Sequence, residues 1–183
     1  LQAEELNVVT GANKVAYSDL QAEQMSAATV KPALALDVSA LGGMYAGRIT
    51  MVGTENGVGV KNAGVMEAVG EAGSILLNVN GRITFIQSVE TENGESSVLS
   101  RVTAQKNIEL QSSDTIEFAD DVTAGVDFTV NAKNIIADKQ LTAGIYRPTS
   151  ATDDGVEPEP VVNDEEKMTL TAADTSTNAG AVS

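Results

Sequence analysis

The feature that most constrains this chain is a series of short segments with apolar residues at every second position, each closed by Gly, Asn or Asp. Period two is the mark of a half-buried β-strand, whereas an amphipathic helix would repeat near 3.6 residues. The pattern predicts strands over 6–10, 48–52, 58–61, 74–79, 82–87, 98–104, 107–111, 114–118, 126–130 and 134–137. Their inward sets are small: Ile49 with Met51, Ile75 with Leu77 and Val79, Ile83 with Phe85, Ile108 with Leu110, Ile116 with Phe118, and Val126 with Phe128 and Val130. Two or three inward residues per strand, with aromatic residues at 3% of the chain, fill a narrow core better than a wide one. The fold class is therefore all-β, and a parallel β-helix of stacked short strands is the expected architecture. Turn residues at Asn56-Gly57, Asn62-Ala63-Gly64, Asn80-Gly81 and Asn93-Gly94 suit its corners. Asn-Gly is equally a hairpin signal, so an antiparallel sandwich or meander is the alternative. The segments at Ile108 and Phe128 lie one plausible repeat apart, but the earlier segments do not keep that step.

Two regions depart from the pattern. Residues 19–30, DLQAEQMSAATV, are rich in helix formers behind a capping Ser18, and are expected as a loop or short helix on the outside. From Pro148 the chain becomes an acidic, Pro-containing stretch that reads as a linker. Past Pro148 there are eight acidic residues and one basic residue, so about half of the net charge of −15 belongs to this tail.

Composition excludes much familiar chemistry. With no His and no Cys, the chain holds neither a Ser-His-Asp or Cys-His nucleophile system nor a zinc site of the usual ligands. Its negative charge, with no basic stripe, argues against a nucleic-acid partner and against anionic membrane surfaces. No run approaches the roughly 18 apolar residues of a membrane span. The absence of cysteine leaves the compartment open.

Residues 33–64, ALALDVSALGGMYAGRITMVGTENGVGVKNAG, resemble a signature of the filamentous haemagglutinin family, the exoproteins of Gram-negative two-partner secretion. Asp37, Leu41, Gly42, Gly43, Met44 and Tyr45 match its first segment, Gly53, Thr54, Glu55, Gly57 and Gly59 its G-T-E-x-G-V-G-V run, and Asn62 and Gly64 its N-x-G. Upstream, LNVVTGANKVAY resembles the strand that precedes them, and 168–183 resembles a haemagglutinin repeat. The resemblance implies a right-handed parallel β-helix over 1–147, the distal part of a secretion domain, then a linker over 148–167 and a truncated repeat over 168–183. The family's N-P-N motifs are not found, so a fragment of a larger protein is expected. It further implies secretion to the surface of a Gram-negative bacterium, an outer-membrane two-partner transporter as partner, host or neighbouring-cell receptors, and no direct membrane insertion.

The signature also has a physical reading. Gly42-Gly43 suits a tight corner, and the Gly53 to Gly59 run lacks the spacing and the Lys-Ser/Thr ending of a phosphate loop, so a turn explains it better. Asp114, Glu117, Asp120, Asp121 and Asp127 form the densest acidic cluster; Glu117, between inward Ile116 and Phe118, faces out, and a solvated acidic face is expected. The expected function is a structural module of an adhesin or contact-dependent growth-inhibition protein, with no enzymatic activity, cofactor, metal or nucleic-acid partner. The alternative is a carbohydrate-binding or carbohydrate-cleaving protein that uses the acidic cluster.

Overall fold

The computed structural model describes residues 1–16, 22–25, 32–38, 43–92, 95–98, 100–144 and 168–173. Every regular element among them is a β-strand. The first part of the chain forms β1 (Gln2–Thr10), β2 (Asn13–Val15), β3 (Ala22–Gln24), β4 (Leu34–Asp37), β5 (Met44–Gly53), β6 (Gly59–Asn62) and β7 (Val65–Ala68). Next come β8 (Ser74–Val79), β9 (Ile83–Ile86), β10 (Val89–Glu92), β11 (Glu95–Val98), β12 (Arg101–Ala104), β13 (Ile108–Ser112) and β14 (Thr115–Ala119). The last are β15 (Val122–Ala124), β16 (Phe128–Ala132), β17 (Asn134–Ala137), β18 (Leu141–Thr142) and β19 (Met168–Ala172).

These strands form three parallel ladders that the chain visits in the same order on each pass. The first half of β5 pairs with β7 and its second half with β8, so one ten-residue strand opens two ladders. The first ladder runs β5, β7, β12, β15, β18, and the second runs β1, β5, β8, β13, β16, β19. The third, in a separate sheet, runs β4, β6, β9, β14, β17. Only β2–β3 and β10–β11 pair antiparallel among the described residues, so the sandwich alternative fails.

Register stacks like on like. Met44, Met66, Val102, Val122 and Leu141 follow one another along the first ladder, and Ala46, Ala68, Ala104 and Ala124 form a second row beside them. Ile49, Ile75, Ile108, Phe128 and Met168 do the same on the second ladder, as do Val60, Ile83, Ile116 and Ile135 on the third. These rows meet in one buried cluster. The three Phe of the chain tie two ladders together: Phe85 stacks on Phe118 at 5.4 Å between ring centroids, and Phe118 meets Phe128 edge-on at 6.0 Å. Each fully buried side chain of this size stabilises by about 1.5–3 kcal/mol.

The inward residues anticipated from period two are buried, except Val126, which is half-buried and lies ahead of β16. The strands β4, β7, β15 and β18 were not anticipated, because two to four residues give too few alternations to register as a period. The irregular step has a local cause. Val102 precedes its partner Val122 by 20 residues, whereas Met66 precedes Val102 by 36, because the β10–β11 hairpin intervenes. Glu92 pairs with Glu95, so Asn93-Gly94, which lies outside the described residues, is the one Asn-Gly flanked by a hairpin pairing. The helix or loop expected over 19–30 is corrected where it is described, since Ala22–Gln24 pairs antiparallel with Asn13–Val15. Pairing with a neighbouring strand overrides the helix propensity of Ala, Glu and Gln. Residues 19–21 and 26–30 and the linker 148–167 lie outside the described residues, and Met168–Ala172 pairs with β16 in the second ladder.

Gly81 shows how tightly the passes are laid down: a Cβ there would overlap the Val58 backbone. Gly81→Ala therefore has to shift one pass against the next, and a lowered denaturant midpoint is expected. Phe118→Ala is expected to destabilise by about 3–5 kcal/mol, whereas Glu109→Gln on the exposed side of β13 stays within about 0.5 kcal/mol. Urea unfolding followed by circular dichroism reads all three.

Candidate functional site

Four of the thirteen signature residues, Gly53, Thr54, Glu55 and Gly57, gather at the corner that follows β5. Gly53 ends that strand, in register with Thr10 on one side and Val79 on the other. Thr54 then ties neighbouring passes together. Its N–H donates to the Thr10 carbonyl at 3.2 Å, and its hydroxyl lies 3.3 Å from the same carbonyl and 2.5 Å from Asn13 Oδ1. The Asn80 side-chain amide donates to the Thr54 carbonyl at 2.9 Å, and the Gly57 N–H donates to the Asn80 carbonyl at 2.7 Å. Three successive passes are thus pinned at one corner by amide and hydroxyl groups. Glu55 sits inside this corner, 7% exposed, and its Oε1 has no hydrogen-bond partner.

The remaining signature residues are spread over the ladders. Asp37 on β4 accepts from Lys61 Nζ at 3.2 Å, and the two are register partners on adjacent strands. Gly43 has φ of +112°, a left-handed conformation that side chains rarely adopt, and so provides the corner expected of the glycine pair. Leu41 and Gly42 lie outside the described residues. Met44 is buried in the core, while Tyr45 is half-buried and stands in register with Glu67. The Gly59 N–H donates to the Ala33 carbonyl at 3.0 Å. Asn62 is 1% exposed and closes the turn at Gly64 with its side-chain amide, giving to the Gly64 carbonyl at 3.2 Å and taking from the Gly64 N–H at 3.4 Å.

The acidic cluster does not converge. Glu117 faces outward and pairs with Arg82 at 3.1 Å, as its alternation predicts. The Asp127 N–H donates to Asn107 Oδ1, and the carbonyl of Asp114 accepts from Lys133 and Asn134 on a different corner. Among the described residues, no three carboxylates gather as a metal site would need. The solvated face needs correction at Asp120, which is 2% exposed. Its Oδ1 accepts the Asp121 N–H at 2.9 Å and its Oδ2 has no partner. Asp120 falls in the corner between β14 and β15, where alternation gives no guidance about facing. It borders a groove of about 420 Å³ shared with Asp121, Ser100, Gln87 and the outward side chains of β12 and β15.

No family model matches the chain, and no solved structure matches it. Similar proteins are known, all matched over about half of this chain or less. A tRNA nuclease CdiA-2 of Burkholderia pseudomallei is 49% identical over 83 residues, 45% of this chain and 3% of that protein. A Toxin CdiA of Yersinia pestis is 45% identical over 44% of this chain and 2% of its own length. A 16S rRNA endonuclease CdiA of Enterobacter cloacae is 42% identical over 46% of this chain and 2% of its own length. The chain thus spans only 2–3% of the relatives it matches.

These relatives correct three expectations. Two of them carry names of nucleases, which overturns the expectation of no enzymatic activity, and those names give tRNA and 16S rRNA as substrates, which overturns the exclusion of a nucleic-acid partner. They also overturn the reading of a purely structural module and its carbohydrate alternative. The charge argument failed because a net charge of −15 describes this chain alone, and the relatives extend far beyond it.

Asn80→Ala removes one of the hydrogen bonds that pin the corner and is expected to cost about 1 kcal/mol. Thr54→Val removes the hydroxyl contacts and is expected to cost a similar amount. The double variant should fall short of the sum, because the two side chains act on one corner. Denaturant midpoints of the three variants check this.

Over about half of its length the chain is similar to CdiA proteins of Gram-negative bacteria, and of the branches its signature left open, this similarity supports contact-dependent growth inhibition.

Proposed function

We propose that this chain is part of a CdiA-type growth-inhibition toxin, secreted to the surface of a Gram-negative bacterium, whose parent protein cleaves RNA in the cell it attacks. The observation that carries this reading is the 49% identity to a tRNA nuclease CdiA-2. Relatives named for tRNA and for 16S rRNA both occur, so the substrate class is structured RNA and the choice between them belongs to the individual toxin. The residues that cut are to be sought along the whole parent protein, since this chain spans so little of its relatives. The signature at 37–64 favours an origin in the distal part of a secretion domain.

We also infer that the three ladders are the faces of a right-handed parallel β-helix. The reading is supported by the constant order of visits, the parallel register and the single core. The hand follows from the strong preference of parallel crossover connections for a right-handed path. Successive passes would then lie about 4.8 Å apart along the axis. A crystal structure reads the hand directly, and a left-handed path sinks this part of the proposal.

Co-culture tests the toxin reading. Cells carrying the parent gene are mixed with susceptible neighbours, and neighbour viability and total RNA are followed together. Loss of viability with shortened tRNA or 16S rRNA is expected. Arrest with intact RNA would falsify the nuclease, and unchanged viability would remove the toxin as well.

A further inference from the structure

The groove beside Asp120 has two kinds of wall. Val65 and Val98 line it with apolar surface, and Asp120 and Asp121 line it with acidic residues. Arg101 is the cation of that lining, and its guanidinium is held by Glu67 at 2.7 Å, so the acidic groups here outnumber the basic one. Asp121 is exposed, whereas Asp120 is buried. The apolar wall continues onto the β10–β11 hairpin. Val98 is the register partner of Val89, which sets the two side chains beside each other, and they are 54% and 50% exposed. A valine pair left this open to water gains from being covered.

The hairpin adds charge and backbone to this surface. Residues 89–98, VETENGESSV, hold three Glu and no Lys or Arg. Among the described residues, β10 and β11 pair only with each other, so each leaves one row of backbone N–H and C=O groups open. Such an edge takes up an extended polypeptide as a further strand.

We propose that the groove and the adjoining hairpin dock an extended segment of a partner protein in which apolar residues alternate with Lys or Arg. A Lys or Arg side chain matches both walls at once, because its methylene stem lies along apolar surface while its charged end reaches a carboxylate. The stem would cover Val65 and Val98, and the cation would meet Asp121. A wholly apolar segment would strip water from Asp121 and put nothing in its place. An acidic segment would meet the carboxylates of the groove and the net charge of −15 of the chain. At about 420 Å³ the groove has the size of a binding cleft. Docking here does not depend on the nuclease activity of the parent protein.

Calorimetric titration of a short peptide of alternating Val and Lys into the full chain, at fixed ionic strength, tests this docking. One saturable site is expected. The same peptide with Ser in place of each Val should bind about tenfold more weakly, and with Glu in place of each Lys it should not bind. Val98→Ser and Asp121→Asn, both at exposed positions, are each expected to weaken binding about fivefold, and Glu109→Gln on the second ladder to leave it unchanged. Denaturant midpoints establish that the variants are folded. Equal binding of the Val-Lys and Ser-Lys peptides would show attraction by net charge alone and overturns the site. Absence of binding, several equivalent sites, or undiminished affinity in either folded variant overturns it as well.

Discussion

The whole structure depends on each pass covering the inward side chains of the pass before it. A strand of four or five residues cannot bury a face alone, and it gains stability only when a strand of matching register lies against it. That requirement explains the rows of similar residues. Alanine follows alanine at positions 46, 68, 104 and 124 on the first ladder, and larger aliphatic residues follow one another on the second and third ladders. The three Phe stand on two ladders, and their stacked and edge-on contacts join them.

Polar side chains serve the corners in the same cooperative way. Thr54, Asn80 and Asn62 hydrogen-bond backbone groups at the corners, where the chain leaves one ladder for the next. On the outer face, Asp37 with Lys61 and Arg82 with Glu117 join neighbouring strands. Such exposed pairs contribute little individually, about 0–1 kcal/mol, but they reward the in-register arrangement over a slipped one.

Much of this arrangement was legible in the sequence. Period two found the longer strands, and the inward residues of 49–51, 75–79, 83–85, 108–110 and 116–118 could be named without coordinates. Strands of two to four residues carry too little pattern, and the hairpin between β9 and β12 hid the repeat by lengthening one step. Corner residues escaped as well. Neither Glu55 nor Asp120 lies within a strand, so nothing in the alternation marked either carboxylate as buried. The chemistry of the parent protein was illegible for a different reason: composition speaks only for the residues it counts.

The hairpin at Val89–Val98 carries a further consequence. The ladders on either side of it keep their register although the chain between Ile86 and Arg101 makes a long detour. The entropy of closing such a detour grows only slowly with its length. This connection is accordingly a place where length can drift between lineages, and where a foreign peptide could be displayed, while the rows beneath it stay in step.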